Sequence, residues 1–460
     1  MDAIGSAHAL LSKHAASFCV GALAGSDVQA KLKAALRAHP LARPQRSSPL
    51  DPMLVLWLVL GMGLWRSLSI PNVFRHLMET LRRTLRDLPL APVTDGALAH
   101  ARARLGVAPV RHLFETLAAE VKPAPSFAKR RVWAMDGTVL TVADTPANDA
   151  AFGRHVASVG RSAFPQLRLV TLTSALTHEL GGACWCPYKI SEITAAAPLV
   201  RRMGPGDLLL LDRGLGSVAT AEQLVAQGAD FLYRLKRHVR PQVIHQRAPG
   251  DYDVILATRV SPKDSPSRLI TLQARMIIYS AAGGETVRLL TSITDEQVAA
   301  FDLVTLYHER WEVELVLDEL KTHLAATASG AADTTFRGLS RPMVEQELWG
   351  TLALYNLVRR LMADAAEVHK LDPRTISFVS SLEVVRLAVP AVQGCATERL
   401  IPLYVRLLSD LGACALDRFR RPRRAPRAIK VKSRPYRHKQ PHERSVPFHF
   451  IARIHMGAAS

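Results

Sequence analysis

The sequence predicts a mixed α/β protein with a helical segment in front of it and a basic tail behind it. Three observations carry that expectation. Apolar residues recur at helical spacing as far as about residue 125. From Arg131 the pattern changes to alternation and short apolar runs, the mark of strands, interleaved with further helical stretches. Residues 418–444 then hold twelve Lys or Arg against one acid, Glu443.

Composition narrows the function classes. A hydrophobic share of 48% over 460 residues is enough for a sizeable core, which excludes a disordered chain. Lys and Arg number 59 against 40 Asp and Glu, and the net +19 favours a polyanionic partner. An anionic membrane surface would use the same charge, but no lipidation motif accompanies it. The five cysteines are odd in number and scattered, so no disulfide framework is expected. Cys184-Trp-Cys186 spaces its thiols more tightly than zinc sites do, even with His178 nearby. No signal peptide is expected from the N-terminal residues. The apolar run Met53 to Trp65 falls short of the ~18 residues that span a bilayer. It reads as a buried helix of a cytoplasmic protein with no membrane partner.

Taken in order, residues 1 to about 45 read as helical and Ala-rich, and Pro49 to Pro52 as a turn that starts the buried helix. A helix from Asn72 to Arg86 follows, and Thr94-Asp95-Gly96 opens another through Leu105, carrying Arg102 and Arg104. These short helices fit either a helix-turn-helix reader of DNA or an ordinary bundle. Arg131 to Val142 reads as two strands about a tight Gly137, and Gln166 to Thr173 as another strand. Ser191 to Met203 is expected to be helical. Asp207 to Leu211 is an apolar run ending at Asp212-Arg213-Gly214, as for a buried central strand. After a helix at Thr220 to Gln227, strand signal dominates: Phe231 to Leu235, Val239 to His245, Tyr252 to Ala257, Leu269 to Tyr279 and Val287 to Ile293. Helices are expected again at Val344 to Ala366 and Glu398 to Leu411. In the tail, Pro422, Pro426, Pro435 and Pro441 block a continuous helix, so an extended arm is expected.

Tyr307 to Lys321 contains no Pro or Gly and reads as one helix. At about 100° per residue, Tyr307, Arg310, Glu314 and Lys321 fall within roughly 60° of one another. One stripe would then carry a phenol, a guanidinium, a carboxylate and an ammonium. The plain alternative is an exposed helix laced with ion pairs. Two further carboxylates, Asp136 and Asp212, stand at or near strand ends. Carboxylates brought from separate elements are what a two-metal site needs, and hard oxygen ligands favour Mg²⁺ or Mn²⁺.

Together these motifs resemble the DDE transposases of the insertion-sequence-4 group. Tyr307, Arg310, Glu314 and Lys321 match that group's Tyr-x2-Arg-x3-Glu-x6-Lys signature without a gap. Asp136-Gly137-Thr138 and Asp212-Arg213-Gly214 are similar to its two aspartate motifs, and Leu289 to Asp295 to its lead-in. The resemblance implies a ribonuclease-H-like catalytic core over 126–410, with a β-rich insertion at about 231–293. It implies an N-terminal helical, DNA-binding domain over 1–125, leaving 411–460 as the basic tail. Asp136, Asp212 and Glu314 would be the catalytic carboxylates and would hold two Mg²⁺ ions, with Mn²⁺ able to substitute. Tyr307, Arg310, Lys321 and Arg213 would contact DNA. The partners implied are double-stranded DNA, at the element's terminal inverted repeats and at the target, and a second copy of the chain. The implied activity is cut-and-paste transposition in the cytoplasm, at the nucleoid. A decayed, DNA-binding relative and a plain metal nuclease are the alternatives. Members hold a flipped base on an aromatic; Trp311 follows the signature arginine but reads more readily as core.

Overall fold

A computed structural model of the chain describes residues 27–41, 50–84, 93–157, 160–260, 267–280, 286–324, 335–392 and 397–416. The tail at 418–444 and most of the Ala-rich N-terminal stretch lie outside the described residues.

Among the described residues, five helices come first: α1 (Asp27–Ala38), α2 (Pro52–Leu64), α3 (Ile70–Thr84), α4 (Asp95–Leu105) and α5 (Ala108–Ala119). The Asp51 side chain accepts from Met53 N at 2.8 Å and Pro52 takes the first helical position, which starts α2. Helix α2 is apolar on every side and buried from Met53 to Leu64, as such a helix must be. Thr94 caps α4 by accepting from Ala97 N at 3.2 Å.

Strand β1 (Arg131–Val142) is one strand rather than two, because the backbone stays extended through Gly137. It is followed by α6 (Pro146–Phe152), the short β2 (Val156–Ala157) and β3 (Gly160–Arg161), then β4 (Gln166–Ser174), β5 (Leu180–Pro187) and α7 (Glu192–Val200). The buried run forms β6 (Asp207–Leu211), and Ser217 caps α8 (Val218–Ala226). The β-rich segment contains β7 (Asp230–Arg234), β8 (Gln242–Ala248), β9 (Asp251–Val260), β10 (Arg268–Ser280) and β11 (Thr286–Thr291). Strand β8 starts at Gln242, not Val239. The residues before it turn back, and the carbonyls of Lys236, Arg237 and Val239 accept from the Arg288 guanidinium.

The signature stretch departs from the single helix expected. It forms α9 (Ala300–Glu309), α10 (Trp311–Asp318) and a π-helical turn, Glu319–His323. At Arg310 the turn tightens, its N–H donating to Tyr307 O at 3.2 Å; at Leu324 it widens, N–H donating to Glu319 O at 3.2 Å. Uniform steps of about 100° therefore do not carry from Tyr307 to Lys321. Strand β12 (Thr335–Phe336), the long α11 (Arg341–His369), α12 (Phe378–Val392) and α13 (Thr397–Gly412) complete the described chain.

The chain divides into two compact units. The first holds the described parts of Met1–Pro123, Gly137–Ala195 and Val313–Leu416. Helix α11 runs through it and packs on α2, α5 and α13. Glu347, fully buried, accepts from the guanidiniums of Arg66 and Arg337 and from the N–H of Arg337 and Gly338. Arg102 of α4 is buried as well, donating from Nε to Gln346 Oε1 at 2.9 Å. That arginine ties a helical bundle together instead of reaching for a base edge, while Arg104 beside it is exposed. Strands β4 and β5 pair antiparallel, and β12 runs parallel to the end of β1.

The second unit holds Ala124–Asp136 and Ala196–Glu312 among the described residues. Its strands run in the order β1-β6-β7-β11-β10-β9-β8. The first three are parallel and the rest antiparallel. Parallel β1, β6 and β7 are this unit's part of a ribonuclease-H-like core, and the antiparallel strands are its β-rich insertion. Asp207 pins the start of β6, accepting from Arg131 Nε at 2.8 Å and Trp133 Nε1 at 2.9 Å. No described helix is long and apolar enough to cross a membrane.

Candidate active site

Asp212 is the first residue beyond β6. Its Oδ1 accepts from Leu215 N at 2.7 Å and its carbonyl from Gly216 N at 2.9 Å, so an Asx-type turn fixes the carboxylate at the strand end. Gly216 permits this turn: a Cβ there would come within 2.3 Å of the Tyr233 ring. Tyr233 cannot move aside, being 2% exposed in the core of the unit, and burial pushes its phenol well above the ordinary range.

Asp136 lies on the neighbouring parallel strand. Met135 is in register with Leu211, so Asp136, midway along β1, stands level with Asp212, just past the end of β6. The carboxyl end of parallel strands is where α/β sheets place their ligands. Arg310 Nη1 stands 3.7 Å from Asp136 Oδ2. At the next residue, Gly137, the end of the flexible Glu192 side chain stands where a Cβ would be, with Oε1 1.8 Å from that position.

A cavity of about 800 Å³ opens beside Asp212. Arg213, Arg234, Lys236, Arg237 and Arg310 line it, with His238, Tyr279, Tyr307, His308 and Trp311. Five fixed cations face one carboxylate, a field built for an anion. Tyr307 is buried, with the Arg310 guanidinium 5.9 Å from its ring centroid. Burial raises the Tyr307 phenol above its ordinary range, so it stays protonated and able to donate. Burial, and secondarily the charge of Arg310, hold His308 below the usual imidazole range. A neutral His308 then lies 3.1 Å from the Tyr279 hydroxyl through Nε2.

The cavity thus gathers Asp212, Arg213, Tyr307 and Arg310, and Arg310 links it to Asp136. Trp311, expected in the core, is instead 59% exposed at the cavity wall; the tightened turn at Arg310 turns it outward. Glu314, on α10, and Lys321, in the π-turn, are half-buried residues of the other unit. Among the described residues no three His, Cys, Asp or Glu side chains are gathered as a metal site. The donor set nonetheless suits a hard cation, being all carboxylate oxygen, and Asp136 already has a cationic group beside it. Carboxylates repel one another until a cation lies between them. Sequence reasoning missed Arg234, Lys236, Arg237 and His238. The density of cations from Arg234 to Arg240, directly after a strand, was the available signal.

Comparison with known proteins gives the family. The family described as "Transposase DDE domain" matches residues 127–357, and "Insertion element 4 transposase N-terminal" matches residues 29–115. The chain is 31% identical over 402 residues to the transposase InsG for insertion sequence element IS4 of Escherichia coli (strain K12), covering 86% of this chain and 87% of that one. A piggyBac transposase, solved in a synaptic complex with hairpin DNA, is loosely similar: TM-score 0.44 and 10% identity, over 85% of each chain. With a DDE-domain match that includes both aspartates, the cationic cavity and the signature glutamate, the chain belongs to the insertion-sequence-4 family of DDE transposases.

Proposed function

We propose that this DNA transposase cuts its element out and inserts it elsewhere by two in-line displacements at one site. The observation that carries the reading is the pair Asp136 and Asp212, level with each other on and just beyond adjacent parallel strands, beside a cavity of five cations. Asp136, Asp212 and Glu314 would hold two Mg²⁺ ions, with Mn²⁺ able to substitute; when bound, such ions activate a water and stabilise the leaving oxygen. Arg310, Arg213 and Lys321 neutralise phosphate, and the protonated Tyr307 donates a hydrogen bond to it. Water attacks the phosphodiester at the element's end, and the freed 3′-hydroxyl attacks target DNA. Arg234, Lys236 and Arg237 extend the cationic wall along the strand path. Trp311 offers an exposed ring on which an unstacked base can lie. Two ends must be joined, so the acting form is a homodimer on DNA. Residues 1–125 act as a DNA-binding helical domain, 126–410 as the catalytic core and 411–460 as a basic arm, and the protein works at the nucleoid.

Incubating the protein with pre-cleaved terminal-repeat duplex and supercoiled target DNA tests the reading. Strand transfer supports it. Nicking alone points to a metal nuclease, and binding alone to a decayed or domesticated transposase.

A further inference from the structure

The π-helical turn Glu319–His323 contains Lys321, the last residue of the signature. A π-turn holds one more residue than an α-turn and is intrinsically less stable, so something must hold it. Two buried groups converge on its first residue. Tyr355 Oη donates to Glu319 Oε2 at 2.8 Å, and Arg359 Nη2 donates to the same oxygen. Arg359 Nε donates to the Tyr355 hydroxyl at 3.0 Å. The Arg359 guanidinium also lies against two neighbouring rings, 5.6 Å from the Tyr355 centroid and 5.2 Å from the Phe378 centroid.

Arg359 is 2% exposed and arises from α11, which is buried along most of its length. Such a buried ion pair adds little stability over an apolar pair of similar size. What it does well is fix register, because slipping by one residue would leave a charge buried and alone. The register fixed here is that of the widened turn. The extra residue rotates Lys321 away from the azimuth that an unbroken α-helix would give it relative to Glu314. Leu320 and Leu324, buried on either side, hold the turn to the core, and Thr322 Oγ1 ties back to Asp318 Oδ1 at 2.9 Å.

We propose that Glu319, Tyr355 and Arg359 are positioning residues that lock the π-turn and so aim Lys321 at the DNA backbone. The proposal rests on the reading of Lys321 as a phosphate contact. A second function of the lock follows from its place: it lets the Glu-x6-Lys spacing serve a geometry that a regular helix would not produce.

A double-mutant cycle in the full-length protein tests it, with nicking of a duplex of the element's own terminal repeat and unfolding temperature as readouts. Glu319→Gln keeps the side chain's size and one acceptor but removes its charge. With Lys321 present it is expected to slow nicking about tenfold or more, the usual cost of losing a partner that orients a working group. In the Lys321→Ala background it is expected to slow nicking no further, because the residue it aims is gone. Equal slowing in both backgrounds would make the lock merely structural and overturn the proposal. If Lys321→Ala itself nicks at the wild-type rate, the phosphate-contact reading has failed and the proposal falls with it. Should Glu319→Gln unfold at the assay temperature, Tyr355→Phe replaces it in the same cycle. It removes only the hydroxyl that bridges Glu319 and Arg359, and the same two outcomes decide.

Discussion

Arg310 Nη1 stands 3.7 Å from Asp136 Oδ2, joining the signature arginine to the first aspartate of the site. Both side chains are largely withdrawn from solvent, at 11% and 18% exposure, so the attraction is less screened than a surface pair would be. In the absence of DNA, the arginine compensates the carboxylate. With DNA bound, it is expected to neutralise a phosphate as well.

Arg310→Ala should therefore weaken DNA binding and flatten its salt dependence by roughly one phosphate, a change of about 0.9 in the slope of log K against log salt. Arg310→Lys should restore charge but not forked hydrogen bonding, and so recover only part of the affinity. Titrations at several salt concentrations read both. An unchanged slope in Arg310→Ala would confine the residue to its pairing with Asp136.

The buried Glu347 should act as a stability centre. Burial opposes its ionisation, yet Arg66, Arg337 and Arg102 outweigh that and hold it below the ordinary carboxylate range. A depressed carboxylate stabilises the fold above its unfolded value, about pH 4, and that contribution disappears as pH falls through the lower folded value. Glu347→Ala strands the buried Arg66 and should cost about 3–5 kcal/mol at neutral pH. Chemical unfolding followed from neutral pH to below pH 4 should show the gap between wild type and variant closing as acid is added.

His308 should titrate late on acidification. Its folded value lies below the unfolded one, about 6.5, so its neutral form is favoured by folding. The unfolded chain takes up the proton first, and stability attributable to this residue is lost as pH falls from about 6.5 through the folded value. An imidazole proton resonance assigned to His308 should have its midpoint below 6.5. A midpoint at or above that value would mean the ring is hydrated and the contact with Tyr279 is not kept.

Much of this was legible in the sequence, for physical reasons. Buried strands such as β6 announce themselves as short apolar runs between turn residues, and α2 as an apolar run too short to span a membrane. Asp212-Arg213-Gly214 could be read as a strand-end turn, though not that Tyr233 demands a glycine at Gly216. Three features were illegible. The division of the signature stretch at Arg310 and the π-turn at Glu319 leave no mark in the local pattern, and Glu319 meets Arg359 only forty residues further along the chain. Trp311 looked apolar enough for a core, and only its place just after the break exposes it. The burial of Arg102 depends on Gln346, which no local pattern connects to it.

The basic tail makes a prediction on sequence grounds alone. Residues 418–444 carry twelve Lys or Arg and one acid, charges that DNA phosphates would neutralise with counterion release. Removing residues 418–460 should lower affinity for DNA of any sequence and make the salt slope shallower. Preference for element ends over random DNA should change much less, since phosphate contacts position and base contacts specify. Equal salt slopes for the full and shortened chains would leave the tail a solubilising segment only.

The most direct measurement is cleavage of a terminal-repeat duplex in Mg²⁺ by Asp136→Asn, Asp212→Asn and Glu314→Gln, each with its binding to that duplex measured alongside. Every substitution keeps size and removes the charge that would hold a metal. All three variants should bind the duplex within about twofold of wild type, yet lose first-strand nicking and strand transfer by about 10³-fold or more, as expected when a charge-stabilising group at the reacting centre is lost. Nicking at near wild-type rate by any one of them would contradict a site shared by these three carboxylates.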